Sequence, residues 1–313
     1  MMRNRWIYII VPVLLIVLAG IWGVNALQLN GPPTNEVYTR QWQAKSGEFK
    51  HLRIQSGYEI AVQFTDSPDQ QDHIMLEGEV TSAIRTNLQQ TNVQNGILNI
   101  EMQLQRKPWQ LRTPKLSPHV QHITVQLANP DSLDSADFHL TSAQTNLNHV
   151  QAQQITVQSV SGRIKAEHLN GDVTLKTSSG DMILQQWEGS SLNVQSGSGD
   201  MKLGSVQGEL ISNAGSGKLN VQQLHGSAHL QSESGDIVIN QTTLTDQNKN
   251  PSKHKSLQIT TDSGDIILAH PPATSTGYDA QSESGTVTAP QHNINPKSEI
   301  QLRSTSGNIR IGS

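Results

Sequence analysis

Cysteine is absent from all 313 residues, which excludes a disulfide scaffold, a thiolate zinc site, a cysteine nucleophile and a cysteine-linked lipid anchor. The redox compartment stays open, because a thiol-free chain fits either side of a membrane. Aromatic residues are scarce at 4% and hydrophobic residues reach 34%; even with glycine added, the chain falls short of the ~45–50% apolar share of an average soluble domain. A thick, ring-filled core is not expected. Charge of one sign is also lacking, since 22 basic residues meet 26 acidic ones for a net charge of -4. No overall field gathers phosphates, and nucleic acid is not an expected partner.

One long apolar run is present. Residues 6–27, WIYIIVPVLLIVLAGIWGVNAL, carry no charge, and about 20 apolar residues cross a hydrocarbon core. Arg3 and Arg5 precede the run and the next basic residue is Arg40. The positive-inside rule then places the N-terminus in the cytoplasm and the rest of the chain outside. Trp6, Tyr8 and Trp22 suit the two interfaces, and Pro12 is tolerable in a membrane helix. The alternative is a signal peptide cleaved after Ala26, where Val24 and Ala26 meet the small-residue rule. Residues 1–27 are therefore assigned as a cytoplasmic start and single-pass anchor, and residues 28–45, with Gly31, Pro32 and Pro33, as a linker.

A repeat dominates the C-terminal half of the chain. SGRIKA, SSGDMIL, GSGDMKL, GSGKLNV, ESGDIVI, DSGDIIL, ESGTVTA and TSGNIRI align on Gly162, Gly180, Gly199, Gly217, Gly235, Gly264, Gly285 and Gly307. A degenerate copy, TSAQTNL, places Ala143 in the same slot, and Gly171, Gly189, Gly208 and Gly226 form a second series between the first. Two and four residues after the motif glycine come apolar pairs such as Met182 and Leu184, Met201 and Leu203, and Ile237 and Ile239. Seven and five residues before it come pairs such as Val173 and Leu175, or Leu257 and Ile259. Both columns alternate with the period of a half-buried strand. A further apolar column, Val150, Leu169, Trp187, Val206 and Leu224, precedes the second turn. A unit of roughly 18 residues cannot bury its apolar side alone, so the units stack. The expectation is an all-β, parallel β-solenoid with two strands per rung over residues 136–313. It is right-handed and roughly 40 Å long, from eight rungs about 4.8 Å apart. Residues 46–135 contain strand patterns without the motif and are expected to cap its start. A narrow core of this kind favours small aliphatic side chains over rings.

The motif residues read as turn chemistry. Serine precedes the glycine in all eight full copies, from Ser161 to Ser306, whereas a nucleophile is needed once. Glycine supplies a positive φ, while serine and aspartate bond backbone groups left free by a corner. Stacked Asp181, Asp200, Asp236 and Asp265 raise the alternative of calcium, but Lys218 interrupts the column and Arg163, Thr286 and Asn308 fill the other slots. No metal or other cofactor is expected. The glycine-rich GSGD at residues 197–200 leads into a strand, not the helix a phosphate loop requires. His149 and His168 share a column in adjacent rungs, about 5 Å apart by the strand spacing, and are read as a solvated ladder. Parallel β-helices also occur among polysaccharide lyases, but no aromatic platforms cluster on the repeats, so an enzyme is not expected.

One asymmetry marks a candidate interaction loop. From motif glycine to the next strand takes 11 residues in a regular rung (Gly162 to Val173), but 22 from Gly235 to Leu257, 14 from Gly264 to Tyr278 and 15 from Gly285 to Ile300. Insertions at one corner of a solenoid favour a binding edge. The longest adds Lys249, Lys253, His254 and Lys255.

The segment SGRIKAEHLNGDVTLKTSSGDMIL, the SGD turns after it and the single N-terminal span resemble the bacterial "putative adhesin" SGD-repeat family, which includes LiaG-like proteins encoded beside envelope-stress signalling systems. The resemblance covers roughly residues 46–313, with departures in the Gln-rich faces and the 241–256 loop. It implies a surface-exposed β-solenoid of unknown function and supplies no catalytic or binding motif. The expectation is a cell-membrane protein whose repeat domain lies outside the cytoplasm and acts as a scaffold, adhesin or envelope-stress accessory. Its partners are expected to be the membrane and another envelope protein or anionic wall polymer. The alternatives are a binding module for wall polymer or calcium and, behind them, a carbohydrate-active enzyme.

Overall fold

The computed structural model describes residues 35–103, 119–243, 256–270, 277–290 and 300–312. The apolar run at 6–27 lies outside them; among the described residues no helix is long and apolar enough to cross a membrane.

The chain runs through β1 (Asn35–Lys45), β2 (His51–Ser56), β3 (Ile60–Asp66) and β4 (Gln71–Thr81) into helix α1 (Ser82–Gln90). It continues through β5 (Ile97–Met102), β6 (Gln121–Leu127), a 3-10 turn at Pro130–Ser132, β7 (Ser135–Leu140), β8 (Thr145–Asn148) and β9 (Val150–Ser159). The regular rungs are β10 (Ile164–Thr177), β11 (Met182–Ser196), β12 (Met201–Ala214), β13 (Leu219–His225), β14 (Ala228–Ser232), β15 (Ile237–Thr243), β16 (Leu257–Thr261) and β17 (Ile266–His270). The last four strands are β18 (Asp279–Ser282), β19 (Val287–Thr288), β20 (Ile300–Ser304) and β21 (Ile309–Ile311). Apolar columns stack in register, Ala166 on Leu184 on Leu203 on Val221 on Ile239 on Leu268, and all are buried. The fold is all-β, with parallel ladders along the repeats.

The rung departs from two separate strands. β10, β11 and β12 each run 14 or 15 residues through the second glycine, with register breaks such as that between Asn170 and Val173. Gly171, Gly208 and Gly226 have φ of 130°, 137° and 154°. At Gly171 and Gly208 the backbone therefore bends within one strand, because glycine tolerates what a side chain resists; at Gly226 the strand divides into β13 and β14. Each of these rungs then has a third, short ladder, Leu169 on Trp187 on Val206 on Leu224. It also admits a large ring: Trp187 is fully buried and donates its indole N–H to the Gly171 carbonyl at 2.9 Å. Its ring occupies the room left at Gly208, where a Cβ would meet it at 2.6 Å.

Stacking does not follow the sequence at either end. β2 lies between β5 and β7, and β3 lies between β6 and β8. At the far end β20 pairs with both β16 and β18, and β21 with both β17 and β19. The final strands therefore sit inside the stack, and the preceding pair forms its end.

Residues 35–45 are a strand and not a linker. β1 pairs antiparallel with β4 from Asn35 opposite Thr81 to Lys45 opposite Gln71. Only Tyr38 and Trp42 of β1 are buried, so its apolar period is four and a search for alternation passes it by. Trp42 donates its indole N–H to the Thr91 carbonyl just after α1, at 2.9 Å. Helix α1, also unexpected, starts at the Thr81 cap and buries Ile84 and Leu88.

Candidate functional site

The motif corner is occupied by its own hydrogen bonds. Ser159, Thr177, Ser196, Ser232, Thr261, Ser282 and Ser304 stand three residues before a motif glycine, and each hydroxyl accepts that glycine's N–H at 2.7 to 3.0 Å. The serines directly before the glycines, Ser198 among them, are exposed. The turn hydroxyl is therefore the inward one, since only an inward oxygen reaches an N–H facing the core. The motif glycines themselves do not have positive φ. Their requirement is proximity: a Cβ on Gly180 would lie 2.1 Å from the Gly162 carbonyl oxygen, and one on Gly199 would lie 2.0 Å from that of Gly180.

The aspartates link rung to rung. Asp181 accepts the Asp200 N–H at 3.2 Å, Asp200 that of Lys218 at 2.9 Å, Asp236 that of Asp265 at 3.1 Å and Asp265 that of Asn308 at 2.7 Å. Arg163 and Lys218 add ion pairs with Asp181 and Asp236 at 3.3 and 3.9 Å. These carboxylates hold backbone donors of the next turn. Among the described residues no group of three or more His, Asp or Glu is arranged to hold a metal ion. Lys249, Lys253, His254 and Lys255 lie outside the described residues.

A second location is built by geometry rather than motif. β3 pairs with β6 as far as Asp66 opposite Leu127, but with β8 only as far as Gln63 opposite Asn148. Beyond that point the chain leaves β8 through His149, whose φ is 55°, and starts β9. The ladder opens into a cleft of about 430 Å³ lined by Gln63, Phe64, Thr65, Asp66, Leu127, Pro130, His149 and Gln151. Phe64 and Leu127 are buried beneath it. A non-glycine residue in the left-handed region costs about 1–3 kcal/mol and is held by its surroundings.

The His149 imidazole stacks on His168, with ring centroids 4.6 Å apart and planes inclined by 19°, as the shared column leads one to expect. Two further depressions adjoin the cleft: one beyond the histidines with Gln186 and Glu188, the other over Ala61 with Asn148, Lys165 and Glu167. His168 Nδ1 and Asn148 Oδ1 are buried here without a hydrogen-bond partner. Lys165 is paired with Glu167 at 3.7 Å. The histidines were legible from spacing. Gln63, Asp66 and Asn148 were not, because the cleft exists only where a ladder stops.

The family model described as Toastrack DUF4097 matches residues 49–312. No curated protein matches the chain. Among solved structures, a "putative adhesin" from Bacteroides fragilis is similar at 17% identity and a TM-score of 0.45, over 90% of this chain and 98% of the other. A "putative lipid binding protein" from Parabacteroides distasonis shares 14% identity at a TM-score of 0.48, over 89% and 98%. A "putative adhesin" from Parabacteroides merdae shares 12% at 0.44, over 89% and 96%.

Proposed function

Because this chain belongs to the Toastrack DUF4097 family, we propose that it is a membrane-anchored, extracytoplasmic β-solenoid that acts as an interaction scaffold of the cell envelope. An adhesin or an accessory of envelope-stress signalling, as in LiaG-like proteins, falls within this reading. The observation that carries it is the use of the repeated serines, threonines and aspartates in hydrogen bonds within and between rungs. The repeated chemistry builds a rigid rod and leaves polar faces for contact. Binding sites favour loops set on such a scaffold. Lys249, Lys253, His254 and Lys255 on the longest insertion are the elements proposed to meet anionic wall polymer or another envelope protein. Each lysine contributes up to about 1 kcal/mol near a charged surface, less at high salt. Calcium is not favoured, because the corner carboxylates already accept backbone N–H groups.

Protease added to spheroplasts is expected to digest the β-region while the apolar run stays in the membrane fraction. Complete protection would defeat the orientation, and a mature N-terminus at Leu27 would establish cleavage in place of anchoring. Shortening residues 243–254 to the regular rung length is expected to weaken binding to isolated envelope at low salt. Unchanged binding removes the loop.

A further inference from the structure

We infer that the cleft at His149 is a saccharide-binding site that takes an uncharged glycan unit. This goes beyond the scaffold reading and does not use the lysine loop. Three properties of the cleft point to the class of ligand. Its volume, about 430 Å³, lies within the roughly 300–1,000 Å³ of small-molecule sites, and buried Phe64 and Leu127 give it an apolar floor under a rim that is mostly polar, as a polyhydroxylated ligand requires.

The rim is rich in side-chain amides: Gln63 and Gln151 line the cleft, with Asn148 and Gln186 in the adjoining depressions. An amide offers donors and acceptors together, as a sugar hydroxyl does. Asn148 Oδ1 and His168 Nδ1, both without a partner, lie beneath this rim with almost no accessible surface. The ligand's hydroxyls are met instead by the Gln63 and Gln151 amides that line the cleft.

The third property is the exposed His149 ring. His168 backs one face at 4.6 Å, so the imidazole is a braced platform with an apolar body and a polar edge. The C–H face of a pyranose lies flat on such a surface.

Charge excludes the other classes. An anion would meet Asp66 in the cleft and Glu188 beside it, and the nearby Lys165 is already paired with Glu167. A metal cation lacks a third convergent ligand among the described residues.

The test uses the full-length protein in detergent, titrated by calorimetry with chitotetraose, maltotetraose and, as the charged counterpart, tetragalacturonate. At least one uncharged tetrasaccharide is expected to bind and tetragalacturonate is not. His149→Gly suits the left-handed backbone and removes only the ring; it is expected to weaken binding about tenfold or more, as is Gln63→Ala. Gln223→Ala, in a distant rung, is expected to leave it unchanged. Absence of binding by both uncharged probes at millimolar concentration overturns the inference, as does equal affinity of the His149→Gly protein or preference for tetragalacturonate. The protein shortened at residues 243–254 is run in parallel. Retained oligosaccharide binding beside lost envelope binding separates this site from the lysine loop, and the reverse result refutes the cleft alone.

Discussion

Ser196 and Ser198 are two residues apart and have opposite environments. Ser196 is buried and its hydroxyl both accepts the Gly199 N–H and donates to the Gly199 carbonyl, at 2.9 and 2.8 Å. Ser198 is exposed. Ser196→Ala is expected to lower unfolding free energy by about 1 kcal/mol or more, because it strands a buried N–H; Ser198→Ala is expected to be near neutral. Urea titration of the two variants distinguishes them. A second residue-scale effect lies at Asp69, outside the repeats. Its carboxyl is held below the ordinary carboxylate range chiefly by His73, whose Nε2 lies 2.8 and 2.9 Å from its oxygens, then by the Ser67 hydroxyl. A depressed folded-state pKa contributes stability above the ordinary carboxylate pKa, and that contribution disappears as pH falls through the depressed value. Asp69→Asn is expected to narrow the gap between melting temperatures at neutral and acid pH. The inward columns are readable residue by residue, since Leu203, Val221 and Ile239 repeat at one distance from glycine. The hydroxyl that closes the turn is not the one beside glycine, and sequence adjacency does not report which way a side chain faces.

Among the elements, the second turn carries the clearest physical reason for what sequence could not settle. Gly171 marks a break in pattern, and a break reads as the end of a strand. In the structure it is a bend within one strand, because a glycine with positive φ changes direction while the flanking ladders continue. Similarly, β1 hides from alternation by burying only Tyr38 and Trp42. The elements at the C-terminal end make a sharper prediction. Among the described residues β18 and β19 pair with β20 and β21 alone. Removing residues 300–312 is thus expected to release the segment around 279–288 as well as the strands deleted. Limited proteolysis followed by mass spectrometry should show new cuts in 277–290 with 164–225 intact. Continued protection of 277–290 would contradict the observed pairing.

For the molecule, the ladder β5, β2, β7, β9, β10, β11, β12, β14, β16, β20 and β18 forms eleven successive positions, or about 50 Å at ~4.8 Å per strand. The motif count alone gives about 40 Å because β2, β3, β5 and β6 lack the glycine signature yet stack in the same way. Stacked units draw stability from their neighbours, so amide hydrogen exchange is expected to be slowest in β11 and β12 and faster toward β18 and β19. Uniform exchange along the stack would instead mean that the rod opens in a single cooperative step. The cleft at His149 falls where the irregular start meets the regular rungs, a junction that no repeat period predicts.

The interior position of β20 and β21 has a consequence for how the protein is made. Synthesis delivers residues 300–312 after residues 279–288, yet β20 and β21 lie between that earlier pair, β18 and β19, and the strands β16 and β17. While the chain is still emerging, β18 and β19 have no surface on which to settle. Residues 300–312 therefore act as a keystone: they seat on β16 and β17 and only then offer β18 and β19 a place. A chain that stops before residue 300 keeps β16 and β17 as an unfinished edge, with unpaired backbone groups exposed.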